Sequence, residues 1–288
     1  MNQGQRHYPR SILLLCSALT AWASCAHTEK RDPDASAKRL AVGQDLYAKH
    51  MVPAALVEIQ RSLELDPENP DAHYLLGILK LGQAVEHLDL SERTTCLRGA
   101  KADAERADAD TKLREAADAF NKAVQLRPLY AEAYDGLAVI AISQKDYDAA
   151  VRFEQHAQEN AVFAENPISR GNLGWAYYGK KDFLRAEKEL RMAVAKSPEF
   201  CVGRYRLGQV LFEQGDFQGT VDVLEPLSER RCPIQEAFRV MGLARERLHD
   251  AENARHDFNI CVQLAPKSCL AEECRKYASL IVTTESEK

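Results

Sequence analysis

Four prolines, Pro67, Pro128, Pro198 and Pro266, each close a stretch of the form A-x₃-[FIL]-x₂-[ASC]-x₄-P. The step from Pro198 to Pro266 is twice a period of 34. The step from Pro128 to Pro198 is two more than twice 34, and that from Pro67 to Pro128 is 34 plus 27. A fixed period of this length means a stack of small units, each unable to bury its apolar face alone.

The clearest unit is PISRGNLGWAYYGKKDFLRAEKELRMAVAKSPEF, residues 167–200. Leu173, Gly174, Tyr177, Asp182, Ala186, Leu190, Ala193 and Pro198 fall where two antiparallel helices need them. Gly174 and Ala186 are small where the helices cross, and Pro198 stops the second helix because it lacks the ladder N–H and clashes with the preceding turn. This pattern resembles the tetratricopeptide repeat. The frame recurs at 36–69, 131–166, 201–234 and 235–268, and in a split form at 70–130. The expected fold is therefore all-α, a right-handed α-α superhelix of six repeats.

The split repeat has its first helix at Leu76 and Gly77 and its second at Ala116, Phe120, Ala123 and Pro128, later than the frame by the extra 27. The additional sequence, at about 83–110, is charged and alanine-rich, and predicts a lengthened second helix after a loop near Ser91 to Gly99. Residues 269–283 read as one amphipathic capping helix, which the exposed end of a solenoid requires, followed by a tail at 284–288.

The formal charge of −5 gives no basic surplus for nucleic acid. The segment 1–24 has the three parts of a signal peptide: Arg6 and Arg10, an apolar run from Ile12 to Ala23, and small residues before Cys25. The run is shorter than the roughly 20 residues that span a bilayer. Cys25 followed by a polar tether over 25–35 resembles a bacterial lipobox, which implies acylation of its thiol. Ala21-Trp22-Ala23 also suits ordinary signal peptidase, which would leave a soluble periplasmic protein.

Export permits disulfides among Cys96, Cys201, Cys232, Cys261, Cys269 and Cys274. Cys201 opens one helix of its hairpin and Cys232 follows the other, so antiparallel packing brings the two together. Cys261, Cys269 and Cys274 offer a staple between cap and last repeat, with the pairing open. All six also fit as small buried core residues. No C-x-x-C, H-E-x-x-H, G-x-S-x-G or phosphate loop occurs, so the reading is of no enzyme, no metal, no cofactor and no small-molecule substrate.

Function then falls to the groove lined by the first helix of each repeat. Positions 5, 9 and 12 give Tyr47 in the first repeat, Tyr74, Ile78 and Leu81 in the second, and Val139 and Ile142 in the third. Later repeats add Trp175 and Tyr178, then Tyr205 and Phe212, then Leu243. Contiguous aromatic surface marks a protein-binding site, although some of these side chains are expected to pack against neighbouring helices. Repeats that clamp carboxylates use Lys, Arg and Asn here, and this chain offers little beyond Asn172.

A lipidated cysteine, a short tether and six repeats including NLGWAYYGKKDFLRAEKEL make the chain similar to the PilF/PilW/Tgl family of type IV pilus pilotins. The resemblance implies an outer-membrane lipoprotein on the periplasmic face that binds monomers of the secretin PilQ and promotes their multimerisation. Ala26 after Cys25 agrees with outer-membrane placement by the same resemblance. The alternative is a general outer-membrane or periplasmic scaffold for cell-wall enzymes or the barrel-assembly machinery.

Overall fold

A helix with apolar residues at three- and four-residue spacing must hide that face, and here each helix does so against the helix next in sequence. The computed structural model describes residues 31–229, 232 and 234–281; the signal segment and Cys25 lie outside the described residues. Six hairpins follow one another. They are α1 (Pro33–Ala48) with α2 (Val52–Leu65), α3 (Pro70–Leu88) with α4 (Ala100–Leu126), and α5 (Ala131–Ser143) with α6 (Tyr147–Ala157). Then come α7 (Pro167–Gly179) with α8 (Phe183–Lys196), α9 (Cys201–Glu213) with α10 (Phe217–Leu224), a short α11 (Pro226–Glu229), and α12 (Gln235–Arg247) with α13 (Ala251–Leu264). A last helix, α14 (Cys269–Leu280), packs on α13. The first helices of successive hairpins touch one another, α3 on α5, α5 on α7, α7 on α9 and α9 on α12, and so form the inner wall.

One turn is reused between the helices of a hairpin. Lys145, Lys181, Gly215 and His249 take left-handed φ of 61°, 61°, 82° and 62°. Each is followed by an aspartate, Asp146, Asp182, Asp216 or Asp250, whose carboxylate accepts the backbone N–H three positions on at 2.8–3.4 Å. That cap satisfies one of the otherwise orphaned amides at the start of each second helix.

Close approach of the helices rests on small residues facing large ones. The fully buried ring of Phe120, on α4, lies between Gly77 of α3 and Gly136 of α5. A Cβ at either glycine would stand 2.6 Å from the ring. The same arrangement puts Gly43 against Ile59, Gly174 against Leu190, Gly208 against Leu224 and Gly242 against Phe258.

The insertion differs from its expectation. It lengthens both helices of the second hairpin, α3 to 19 residues and α4 to 27. After α3 the chain enters a π-helical turn, Asp89–Thr94, so the loop shrinks to residues 95–99. The reason is that α3 meets no further proline and keeps an apolar face through buried Ala84, while α4 presents Ala102, Ala109, Ala116 and Ala123, buried at every seventh position. Small side chains let the two long helices run close, and Lys80–Glu115 (2.6 Å) and His87–Glu105 (2.7 Å) tie their flanks.

Three disulfides join the described cysteines. Cys201 bridges to Cys232, and Cys261 to Cys274, which staples the cap to the last hairpin. Cys269 groups by sequence with Cys261 and Cys274; its partner is instead Cys96, at a sequence separation of 173. Only the lengthened second hairpin carries Cys96 to the start of α14.

If the Phe120 wedge sets the hairpin spacing, Phe120→Ala should cost about 3–5 kcal/mol. Gly77→Ala should cost about 1–3 kcal/mol despite alanine's better helix propensity. Urea unfolding followed by circular dichroism measures both, and a stabilised Gly77→Ala variant would show that the helices are free to part.

Candidate functional site

The inner wall carries an aromatic ladder at its centre. Trp175 of α7 stacks on Tyr178 with ring centroids 4.4 Å apart and planes 7° from parallel, and Tyr205 of α9 stands 6.1 Å from Trp175. These three are half-buried. With Val202, Arg206, Ile234, Gln235, Glu236, Leu264, Ala265 and, from the π-turn of the insertion, Arg93, residues Trp175 and Tyr205 line a pocket of about 400 Å³.

The other proposed groove residues divide. Tyr47 is 40% exposed. Tyr74 packs on Phe120 (5.9 Å) and Tyr130 (5.1 Å), and burial pushes its phenol up to about 12. Ile78 and Leu81 buttress the same core, and Ile142 leans on the core around α7 and α8. Phe212 meets Phe217 edge-on at 5.5 Å, and both it and Leu243 pack against the C-terminal core. Val139 is half-buried on α5. Tyr178 and Tyr205 also pack in part, against the core around α7 and α8 and the C-terminal core respectively, so the accessible aromatic surface is narrower than the stripe read from sequence: Tyr47 at one place and, at another, Trp175 with the half-buried Tyr178 and Tyr205 beside it.

A polar seam lies behind this ladder. Glu154 of α6 occupies the register that Ile59, Phe120, Leu190, Leu224 and Phe258 fill in the other hairpins, and is 0% exposed. Ser169 donates to its Oε2 at 2.6 Å, while Oε1 meets no N–H or hydroxyl donor. Burial, followed by the charge of Asp135, pushes the Glu154 carboxyl well above its ordinary range, and burial pushes Asp135 up as well. Burial and the neighbouring Asp135 charge together favour the neutral, protonated form of the Glu154 carboxyl. Asn172, 3% exposed, donates to Asp135 at 2.9 Å and accepts from Arg206 at 2.8 Å. Its amide is therefore spent inside the protein. Burial lowers the Arg206 guanidinium to about 10, so it remains charged at neutral pH, 5.6 Å over the Trp175 ring.

Sequence reasoning passed over Arg206 and Arg93. Arg206 was legible, for it stands one full period after Asn172, at the same repeat position. Arg93 was not, because the insertion has no repeat register. Its segment crosses to the far end of the solenoid, where Arg93 meets Glu236 at 3.4 Å, Arg98 pairs with Glu272, and Cys96 is bonded to Cys269.

The raised carboxyl of Glu154 makes stability depend on pH. Its folded pKa lies above the unfolded value of about 4.3, so its contribution is complete below about pH 4 and is lost as pH rises through the folded value. Glu154→Gln should flatten that loss, with urea midpoints diverging in its favour as the pH rises above about 5. Parallel midpoint curves for the two proteins would place the proton elsewhere.

Comparison with known proteins agrees with this architecture. The family described as "Tetratricopeptide repeat" matches residues 101–163. The chain is 24% identical over 277 residues to the CTR9 homolog of Arabidopsis thaliana, an alignment covering 94% of this chain and spanning only 22% of that protein's length. Among solved structures, Pseudomonas aeruginosa PilF superposes with a TM-score of 0.64, and PilW, described as a widely conserved type IV pilus biogenesis factor, with 0.65. Each is 14% identical, covers 84% of this chain, and is itself covered over 97% and 99% of its length. At that identity the likeness is one of fold. With its repeat chemistry and its stacked hairpins, the chain has the all-α solenoid fold of tetratricopeptide repeats.

Proposed function

We propose that this protein is a non-enzymatic assembly factor of the pilotin type, anchored to the outer membrane through an acylated Cys25. It holds an apolar segment of secretin monomers in its groove until the secretin ring closes. The observation that carries this reading is the Trp175–Tyr178–Tyr205 ladder, half-buried on the inner wall beside a pocket of about 400 Å³. Aromatic side chains with one open face bury large apolar area at little cost in side-chain entropy, which makes them the usual anchors of protein interfaces. Likeness to PilF and PilW along nearly their whole length gives the same fold in which such a groove would serve. No described helix is long and apolar enough to cross a membrane, and attachment is assigned to the acyl chains.

The test is Trp175→Ala combined with Tyr205→Ala in the full chain. Helical circular dichroism should be kept, since neither ring is fully buried, while heat-stable secretin multimers disappear from the outer membrane. Normal multimers in that variant would remove the groove from the mechanism. Cys25→Ser should independently shift the protein from membrane to soluble fraction. If cross-linking recovers peptidoglycan enzymes or barrel-assembly proteins and no secretin, the chain is instead a general envelope scaffold.

A further inference from the structure

The lengthened second hairpin does more than fill space. Its connection, residues 89–99, reaches the opposite end of the solenoid and fastens there in three places: Cys96 to Cys269 by a disulfide, Arg98 to Glu272, and Arg93 to Glu236. Between those points Arg93 forms part of the wall of the Trp175–Tyr205 pocket. The segment is thus a strap from the second repeat to the sixth and the cap, lying over the aromatic ladder of the fourth and fifth. The exposed ion pairs are individually weak. The covalent bond is what holds the strap.

The three disulfides differ in access. Cys269 is exposed and Cys96 half-buried; Cys201 is half-buried with its partner Cys232 6% exposed, and Cys261 and Cys274 are both 0% exposed. Thiol–disulfide exchange requires an attacking thiolate to reach a sulfur, so an external dithiol meets the strap bond first. The strap also holds unfavourable backbone that its tether maintains. Cys96 sits at φ 26°, where residues with a β-carbon rarely stay, and the turn before it is π-helical, a rare conformation. Cleavage frees both to relax.

We propose that Cys96–Cys269 is a redox clasp that closes the strap over the groove, and that reduction by a dithiol opens the Trp175–Tyr205 pocket to its partner. A thiolate of the reductant attacks the exposed Cys269 sulfur and releases Cys96 as a thiolate, forming a mixed disulfide. The reductant's second thiol then displaces Cys269. Two electrons pass to the protein, which ends with two cysteine thiols, and the dithiol ends as its own disulfide. The proposal rests on the groove being the partner site, and names how that site is controlled.

The experiment needs no partner, so its failure is separate from failure of the pilotin reading. In full chain carrying Trp22→Phe, Trp175 is the sole tryptophan. Acrylamide quenching of its fluorescence, and tryptic cleavage after Arg93 and Arg98, are compared with and without Cys96→Ser and Cys269→Ser. Removing the clasp should raise the quenching constant about twofold and speed cleavage about tenfold, with helicity unchanged. Equal quenching and equal cleavage overturn the proposal. Should the serine variants fail to fold, graded dithiothreitol on the wild-type disulfides with peptide mass mapping decides. Cys96–Cys269 is expected to open at about one tenth of the reductant needed for Cys261–Cys274, and simultaneous or later opening overturns the clasp.

Discussion

The fold depends on how closely two helices of a hairpin can approach. A residue without a side chain on one helix faces a large apolar residue on the other, as Gly77 faces Phe120 and Gly174 faces Leu190. That contact sets the spacing within a hairpin, and Phe120 shows it extending to the next, because its ring also fills the space left by Gly136 of α5. Repeated down the chain, the arrangement leaves the first helices side by side as an inner wall and gives that wall positions whose side chains are not needed for packing. Trp175 occupies such a position, beside Tyr205, which packs in part against the C-terminal core.

The third hairpin breaks this rule at one residue. Glu154 stands where the others have Ile, Leu or Phe; its burial favours the protonated carboxyl, and Ser169 hydrogen-bonds one of its oxygens. Buried polar seams cost more than an apolar core unless their members are satisfied. This one leads through Asn172 to Arg206 at the wall of the pocket, so it fixes the guanidinium over the Trp175 ring. A packing fault in one repeat has become the support of the groove in the next two.

The strap changes the mechanics of the solenoid. Stacked repeats contact only their neighbours, so ends move freely relative to each other. Joining Cys96 to Cys269 closes a loop across a sequence separation of 173, which in the chain-entropy picture removes about 5 kcal/mol of freedom from the unfolded chain. It also makes distant repeats parts of one ring. Access to the ladder is then governed by a segment with no repeat chemistry of its own.

The sequence by itself determined what local periodicity encodes. The prolines, the glycine and alanine at the crossings, and the aspartate caps specify six hairpins and their order, because each acts within a single repeat period of its neighbours. It also marked most of the inner-wall aromatics, though not which of them, such as Tyr74 and Phe212, turn into the core. What only the tertiary structure decided depends on contacts between repeats far apart in the chain. The partner of Cys96 and the placing of Arg93 in the pocket belong to that class, whereas Glu154 meets Asp135 within its own hairpin and Ser169 at the start of the next. No spacing encodes those two, since they follow from where the stacked hairpins bring an insertion that has no repeat register of its own.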